Sequence, residues 1–218
     1  MKNGLVLFLG VFATLALSWA GLLLAAHKQI GSLPQYKDPI EQTLFPAPLT
    51  GIADQGRAVY QDLGCVSCHT QQVRYDGFGS DLKRGWGERG SFAREYIREK
   101  TVLIGSSRLG PDLRNVGNRP YASAEYFHGL LYAPESVAPG GNKPAHAFLY
   151  ETRALDGNQA SYKALKLSSK FAPGEGLEVV PTYRAEALVA YLMSLKDTYS
   201  YPAESGLNAP APAKEGSH

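Results

Sequence analysis

The run Cys65-Val66-Ser67-Cys68-His69 contains the only two cysteines of this 218-residue chain, two residues apart and directly followed by a histidine. Two thiols at this spacing can add to the two vinyl groups of one porphyrin, while the adjacent imidazole binds the iron from the same side. The run therefore predicts one covalently bound haem c, held by Cys65 and Cys68, with His69 as the proximal iron ligand.

Three other uses of a Cys-x-x-Cys pair explain the sequence less well. A structural zinc site normally needs four protein ligands, often with a second Cys or His pair at short spacing, and here the remaining histidines are scattered. A thioredoxin-like pair belongs at the start of a helix in a βαβ context, and no such alternation surrounds this pair. A disulfide that closes so short a loop would stabilise the chain little. The remaining histidines are His27, His128, His146 and His218.

The N-terminal part of the chain is strongly apolar. Residues 5–26 carry no charge, and about 20 apolar residues suffice to cross a hydrocarbon core of roughly 30 Å. A secretory signal has a shorter apolar stretch of about 7–15 residues and a small-residue cleavage site, which Ala25-Ala26 imitates only weakly. We therefore predict an uncleaved transmembrane anchor over residues 1–28.

The predicted side of the membrane follows from the haem rather than from charge. Lys2 precedes the apolar span and His27-Lys28 follows it, so the positive-inside rule decides little. Covalent haem attachment in bacteria takes place on the outer side of the inner membrane, which is an expectation from c-type cytochromes as a class. We expect a single-pass protein of the inner (cytoplasmic) membrane, with a cytoplasmic N-terminus and residues 29–218 in the periplasm.

The rest of the chain divides into predicted regions. Four prolines in residues 29–51 favour extended backbone and predict a linker. Residues 52–198 predict one cytochrome domain. Inside it, residues 151–181 show little apolar periodicity and predict a surface insertion, whereas residues 199–218, rich in Pro, Ala and Ser, predict a mobile tail. The formal net charge of +2 gives no reason to expect a nucleic-acid partner.

Two segments of the domain show helical patterns. Residues 53–63 predict a short helix that Gly64 ends just before the cysteine pair. Residues 182–196 predict the strongest amphipathic helix of the chain, because four apolar side chains repeat at i, i+3, i+4 and i+7. These side chains are Leu188, Tyr191, Leu192 and Leu195.

A helix just before Cys-x-x-Cys-His and another near the C-terminus resemble those of class I cytochromes c, in which the two helices cross. The resemblance implies an all-α fold, made of an N-terminal transmembrane helix and a class I cytochrome c domain with loop insertions. It also implies that Gly56 permits close backbone approach and that Tyr60 packs near Tyr191 or Leu192.

The segment Gly110-Pro111-Asp112-Leu113 is similar to the Gly-Pro-x-Leu loop of the same family. The resemblance implies that the Pro111 carbonyl accepts the second ring N–H of His69. Such a bond fixes the tautomer and the orientation of a ligand imidazole. Pro111 is therefore a predicted haem-site residue.

Several further segments resemble the membrane-anchored mono-haem subunits of cbb3-type cytochrome c oxidases and the related cytochrome subunits of nitric oxide reductases. The likeness covers most of the chain, with the anchor in the expected place. It implies an electron-transfer subunit that does not itself reduce the terminal acceptor. The segments are residues 68–74, 84–87, 94–97, 105–119, 131–134 and the final helix.

The resemblance also implies the partners. Electrons would pass from a soluble donor cytochrome or another cytochrome c subunit, through this haem, to haem b of a catalytic haem-copper subunit in the same bilayer. Three alternatives stay open at this point. They are the cytochrome subunit of a nitric oxide reductase, a free-standing anchored electron shuttle, and a haem sensor.

Arginines of the central segment are candidates for holding haem propionates or partner carboxylates, because a guanidinium binds a carboxylate in a bidentate fork. Arg74 is the preferred candidate, since it lies close to His69 in sequence. For each of the other four, a solvated basic face explains the charge equally well. These four are Arg84, Arg89, Arg94 and Arg98.

The second axial ligand is where the chain departs from the families that it resembles. In those families a methionine before a proline usually supplies this ligand, and Lys143 occupies that position here. Met1 lies at the predicted cytoplasmic end of the anchor, and Met193 points away from the apolar stripe of its helix. We expect His146 as the ligand, because removing the proton of a lysine at pH 7 costs about 4–5 kcal/mol. Lys143 is the alternative, an open or external site is the third possibility, and His128 is a distant fourth.

Overall fold

The computed structural model describes residues 3–157, 159–202 and 204. The chain divides into two compact units. The first unit comprises Met1–Ala47 with Phe92–Val102, and the second comprises Pro48–Ser91 with Leu103–His218. Phe92–Val102, which lies within residues 52–198 of the predicted domain, groups with the N-terminal unit.

The first unit begins with one long apolar helix. It consists of α1 (Gly4–Trp19), a π-helical stretch (Ala20–Leu24) and α2 (Ala25–Ile30), 27 residues in all, and its most apolar stretch of 18 residues has a mean hydropathy of 2.2. At 1.5 Å per residue the helix is roughly 40 Å long, which exceeds the hydrocarbon thickness of a bilayer. Its side chains are exposed in the isolated chain. Length, composition and exposure together make this helix a candidate single-pass membrane anchor.

The first unit also contains a small strand pair. Strand β1 (Tyr36–Lys37) pairs antiparallel with β2 (Leu44–Phe45). A 3-10 turn at Ala93–Tyr96 belongs to the same unit. From this part of the chain Arg94 donates to the Pro34 carbonyl oxygen and Arg98 donates to Gln35 Oε1 (3.2 Å).

Two crossing helices form the centre of the second unit. They are α3 (Gly51–Asp62) and α6 (Tyr183–Ser194), which confirm the two helices predicted from sequence patterns. A Cβ at Gly56 would overlap the Ala187 backbone, so only glycine allows this approach. Tyr60 and Tyr191 meet edge to face with ring centroids 5.4 Å apart. The helices therefore cross at the two positions that the class I resemblance implied.

Two shorter helices complete the helical part of this unit. Helix α4 (Ala124–Tyr132) starts at Ser123, whose hydroxyl accepts from the Tyr126 N–H (3.1 Å). Capping of this kind stabilises a helix by about 1 kcal/mol. Helix α5 (Pro134–Val137) follows directly. Phe127 and Leu131 of α4 are buried in the core shared with α6.

The second unit also contains a β-hairpin, so the all-α prediction is wrong in this respect. Strand β3 (Tyr150–Ala154) pairs antiparallel with β4 (Leu177–Pro181), with Tyr150 opposite Pro181. These strands bound the segment that was predicted as a surface insertion. Val179 and Val180 are both buried. Burial of two consecutive residues removes the alternation of apolar and polar residues that usually identifies a strand.

The final described residues remain packed against the second unit. Tyr201 is fully buried, and its ring meets that of Tyr199 edge to face with centroids 5.0 Å apart. Arg89 donates to the Tyr199 carbonyl oxygen. Packing in the second unit thus includes Tyr199 and Tyr201. The greater part of the predicted mobile tail lies outside the described residues.

Candidate haem site

The Cys-x-x-Cys-His run lies directly after α3. Cys65–Ser67 form a 3-10 turn, and the His69 N–H donates to the Cys65 carbonyl oxygen (3.0 Å). Cys65 and Cys68 are free and half-buried. Burial raises the pKa of the Cys65 thiol, while the positive charge of Lys143 acts in the opposite direction. Both thiols are therefore available for thioether bonds.

The His69 ring is held by a backbone carbonyl. Its Nδ1 lies 2.8 Å from the Pro111 oxygen. A carbonyl oxygen can only accept, so this contact places a proton on Nδ1 and leaves the lone pair of Nε2 free for a metal. Burial lowers the pKa of His69, which favours the neutral imidazole that binds iron. Gly110 lies so close to the ring that a Cβ there would overlap it.

Two stretches, residues 65–72 and 105–114, hold this imidazole, and we call them the proximal segments. Their backbones are joined by hydrogen bonds from Gly110 N to the Cys68 oxygen (2.9 Å) and from Leu113 N to the Thr70 oxygen (2.7 Å). The Gln71 N–H donates to the Ile104 oxygen just outside them (2.9 Å). The Pro111 carbonyl is thus placed by the backbone pairing of the two segments.

Asp112 ties the proximal segments together with its side chain. It is fully buried and accepts from Thr70 Oγ1 (2.6 Å), Gln72 N (2.7 Å) and Arg114 N (2.9 Å). Arg108 lies 3.7 Å from the same carboxylate. A buried carboxylate is tolerated when its oxygens are bonded and its charge is paired. Asp112 therefore supports the residue that holds His69.

Arg108 connects this carboxylate to a second one. Its guanidinium donates to Asp81, to Thr70 Oγ1 (2.9 Å) and to the Gln72 oxygen (2.7 Å). It also lies over the Trp86 ring at 5.6 Å from the centroid. Sequence analysis missed Arg108, because its hydrogen-bond partners lie 27 to 38 residues away in the chain.

Another arginine that sequence analysis missed, Arg119, is the one whose charge reaches His69. Its charge contributes to the lowered pKa of His69. Arg119 is buried and donates to the Asp112 carbonyl oxygen and to the Tyr121 hydroxyl (3.1 Å), while its Nε has no hydrogen-bond partner. A buried guanidinium with an unused N–H is suited to an anionic group bound nearby.

The arginines named from the sequence lie elsewhere. Arg74 is exposed, and its side chain packs beside Gly79. Arg84 lies over the Trp86 ring at 4.9 Å. Arg89 is paired with Asp197 (3.3 Å). Arg74 was chosen because it is close to His69 in sequence, but it is not the arginine whose charge acts on His69. Its role as a partner of a haem propionate stays a prediction.

Lys143 and His146 lie together on the loop formed by residues 138–146, which we call the Lys143 loop. Lys143 Nζ is 3.5 Å from His146 Nδ1, and the same nitrogen of His146 is 3.0 Å from the Pro144 oxygen. Both side chains are half-buried. Burial lowers the pKa of each. The two nitrogen donors predicted as alternatives are therefore neighbours.

The side chains of the other two candidate ligands, His128 and Met193, make structural contacts instead. His128 Nδ1 lies 3.0 Å from the Tyr150 hydroxyl, and its ring meets the Tyr150 ring edge to face. Met193 packs against the hydrophobic core of the second unit. Across the described part of the chain, no group of three or more His, Cys, Asp or Glu side chains is arranged to hold a metal ion.

The residues around His69 fit a haem. The His69 ring leaves Nε2 free, and the free thiols of Cys65 and Cys68 precede it in the chain. The buried guanidinium of Arg119 has an N–H without a hydrogen-bond partner, and its charge acts on His69. Such a site is typical of a haem-binding electron-transfer protein.

The family model described as cytochrome c oxidase, mono-heme subunit/FixO matches residues 4–174, and the chain belongs to this family. A comparison with curated proteins finds no match.

Family membership fixes the coarse function. The chain is a mono-heme cytochrome subunit of a cytochrome c oxidase complex, and such a subunit has a catalytic subunit as its partner. One haem, electron transport and the respiratory chain follow from the same match. The match gives no support to the nitric oxide reductase alternative.

Proposed function

We propose that this chain binds one haem c through thioether bonds from Cys65 and Cys68, with His69 as proximal ligand. It passes electrons from a donor cytochrome to haem b in the catalytic subunit of a cbb3-type oxidase. When bound, the haem supplies one-electron redox chemistry. The domain around it is, in this proposal, a class I cytochrome c domain with the β3–β4 hairpin as an addition.

The observation that carries the proposal is the contact between His69 Nδ1 and the Pro111 oxygen at 2.8 Å. It joins a motif that provides thiols to a separate loop that selects the metal-binding tautomer. An N–H donated to a carbonyl also orients the ring and raises its basicity as a ligand. A surface histidine without a bound group would gain nothing from so specific an orientation.

Other residues of the site determine its electrostatics and its accessibility to a partner protein. Arg119 places a buried positive charge near His69, which favours the electron-rich state of a group bound there. Leu109 and Pro111 are exposed next to buried Asp112. A partner can therefore approach the proximal segments from solvent, as electron transfer between proteins requires.

The long apolar helix anchors this activity to a membrane. We propose that Gly4–Ile30 crosses the inner membrane once, with the N-terminus in the cytoplasm and the second unit in the periplasm. The predicted side follows from the compartment in which thioether bonds to haem form. Cysteine accessibility labelling at residue 3 and residue 166 in intact and opened cells tests the orientation. Labelling of residue 3 in intact spheroplasts would contradict it.

Covalent attachment is tested on the purified, denatured protein. After acid-acetone extraction, we expect the pyridine haemochrome spectrum of haem c to stay with the polypeptide. The Cys65→Ala and Cys68→Ala variants should each retain one thioether and shift this spectrum, and the double variant should lose the haem. Lys166→Ala, which changes an exposed side chain, serves as the matched control. Complete extraction of haem from the unmodified chain would refute covalent attachment.

The place in the oxidase is tested on the complex. Mild detergent extraction through an affinity tag on this chain should recover a large haem b subunit. The complex should consume oxygen with a reduced donor cytochrome, whereas the double cysteine variant should assemble poorly or transfer no electrons. Recovery of a monomer alone would favour the free-standing shuttle.

A further inference from the structure

Two guanidinium groups lie against the ring of Trp86. The central carbon of the Arg84 guanidinium is 4.9 Å from the ring centroid, and that of Arg108 is 5.6 Å from it. Each cation is attracted to the electrons of the ring. Arg84 is exposed, and the ring itself is half-buried. Trp86 is therefore a held aromatic ring that reaches the solvent.

The backbone around Trp86 is fixed as well. The Trp86 N–H donates to the Asp81 carbonyl oxygen (3.0 Å), and Asn115 Nδ2 donates to the Trp86 carbonyl oxygen (3.4 Å). A Cβ at Gly87 would lie 2.9 Å from Asn115 and 2.9 Å from Val73, so the chain runs close to both side chains. The position of the ring is therefore determined by contacts on several sides.

Arg108 connects the Trp86 ring to the residue that follows His69. Its Nε donates to Thr70 Oγ1 (2.9 Å), and its Nη2 donates to the Gln72 carbonyl oxygen (2.7 Å). Thr70 is buried and is joined to His69 by a peptide bond. An uninterrupted series of contacts thus runs from the Trp86 ring through Arg108 to the backbone of His69.

This series reaches His69 through its backbone, whereas a bound haem would meet its free Nε2. A relay subunit exchanges electrons with two proteins, a donor and the catalytic subunit. Electrons tunnel more readily through bonds, hydrogen bonds and packed rings than across a gap filled with solvent. The series therefore provides a route for one partner and leaves the edge of a bound haem to the other.

The charges beside Trp86 indicate which partner uses the route. Lys83 and Arg84 are exposed, and Glu88 is the exposed acidic side chain of the same stretch of chain. An excess of positive charge attracts an acidic surface from solution and speeds a transient encounter. A soluble donor depends on such encounters, whereas a subunit that stays bound in the complex does not.

We propose that Trp86 is the residue at which an electron from a soluble donor with an acidic surface enters this subunit, and that Arg108 continues the route to His69. The proposal rests on the proposed function. One electron leaves the reduced donor and the ferric haem becomes ferrous, so no bond forms or breaks and no proton moves. The Trp86 ring provides electronic coupling and is not itself oxidised.

The route is tested by injecting electrons at a chosen residue. The full chain with bound haem carries a photoactive ruthenium polypyridyl complex on Lys83→Cys or on the exposed control Lys166→Cys, and a laser flash starts the transfer. We expect Trp86→Leu to slow haem reduction several-fold from residue 83 and to leave it unchanged from residue 166. Trp86→Phe, which keeps an aromatic ring, should slow it less.

A second readout does not involve electron transfer. The sequence contains two tryptophans, so ¹⁵N labelling of the indoles gives one NMR signal from Trp86 and one from Trp19 in the long apolar helix. The paramagnetic anion hexacyanochromate(III) stands in for an acidic partner of the reduced protein. It should broaden the Trp86 signal, broaden it less in Arg84→Gln, and leave the Trp19 signal unchanged.

Each result decides for or against the route. An unchanged rate from residue 83 in Trp86→Leu would overturn it. Equal slowing from both residues, or a changed reduction potential, would also overturn it, because Trp86 would then only support the fold through Arg108. A Trp86 signal that hexacyanochromate(III) does not broaden would reject an acidic donor at this surface. Loss of haem from the denatured unmodified chain is a different failure, because it rejects the proposed attachment rather than the route.

Discussion

The proximal segments and the Lys143 loop differ in how the fold holds them. The proximal segments are joined by backbone hydrogen bonds and by buried Asp112, which accepts from three donors. The Lys143 loop is mainly exposed and is tied to the core where His146 meets Leu131. The orientation of His69 is therefore built into the fold, whereas the Lys143 loop is held mainly at its His146 end.

The largest effect is expected when the support of the proximal segments is removed. Asp112→Ala leaves Thr70 Oγ1, two backbone N–H groups and the Arg108 guanidinium without their carboxylate. Breaking a buried charge pair in this way costs about 3–5 kcal/mol. We expect a loss of this size in the free energy of unfolding from urea titrations, together with less haem attached per chain.

The matched control for this substitution is Asp76→Ala. Asp76 is exposed, so its removal should change the free energy of unfolding by no more than about 0.5 kcal/mol. Equal stability of the two variants would show that Asp112 does not support the proximal segments.

A pair of glycine substitutions compares the two regions directly. Gly110→Ala adds a methyl group that overlaps the His69 ring, whereas the nearest atom to a Cβ at Gly141 is the Ala138 oxygen at 3.1 Å. Overpacking typically costs about 1–3 kcal/mol. We expect that loss for Gly110→Ala, with a changed ferric spectrum, and less than about 1 kcal/mol for Gly141→Ala. Thermal unfolding and haem content measure both, and a reversed order would break the comparison.

Arg119→Gln addresses the charge near His69. Removing a cation should lower the reduction potential, because the reduced state loses a favourable interaction. An interaction on the order of 1 kcal/mol corresponds to roughly 40 mV for one electron. Potentiometric titration measures the shift. Arg74→Gln is the control, since Arg74 is exposed, and a larger shift for Arg74 would restore the arginine chosen from sequence.

The proximal segments could be predicted from sequence because each part has its own local pattern. The spacing of Cys65, Cys68 and His69 can be recognised without knowledge of the fold. The Gly110-Pro111 dipeptide identifies the loop that contacts them. The crossing helices α3 and α6 were also predictable, since Leu188, Tyr191 and Leu192 of α6 repeat at helical spacing with Leu195 just after it. Local chemistry and periodicity thus explain most of the helical part.

The remaining features depend on contacts between distant residues. Arg119 acts on His69 across 50 positions of the chain, and the Arg153–Glu178 pair spans 25. The sequence of strand β4 does not alternate between apolar and polar residues, because Val179 and Val180 are both buried.

The smallest effect is expected in the hairpin that follows the Lys143 loop. Glu178 accepts from the Ser161 N–H (2.6 Å) and pairs with Arg153 across the strands (2.7 Å), and these contacts hold its pKa below the usual range. The folded chain then binds fewer protons than the unfolded chain, whose Glu pKa is about 4.3. The stabilisation is present above that pH and is lost as the pH falls through the folded pKa.

Glu178→Gln removes this pH dependence and should therefore be less stable than the unmodified chain at pH 7, with the difference shrinking as the pH falls through the folded pKa of Glu178. Urea midpoints across this range measure the convergence, with Glu151→Gln on the exposed side of β3 as control. A constant difference between the chains would mean that Glu178 contributes through shape rather than charge. Because the hairpin begins four residues after His146, convergence without any change in the ferric spectrum would show that the Lys143 loop is positioned by Leu131 and not by the strands.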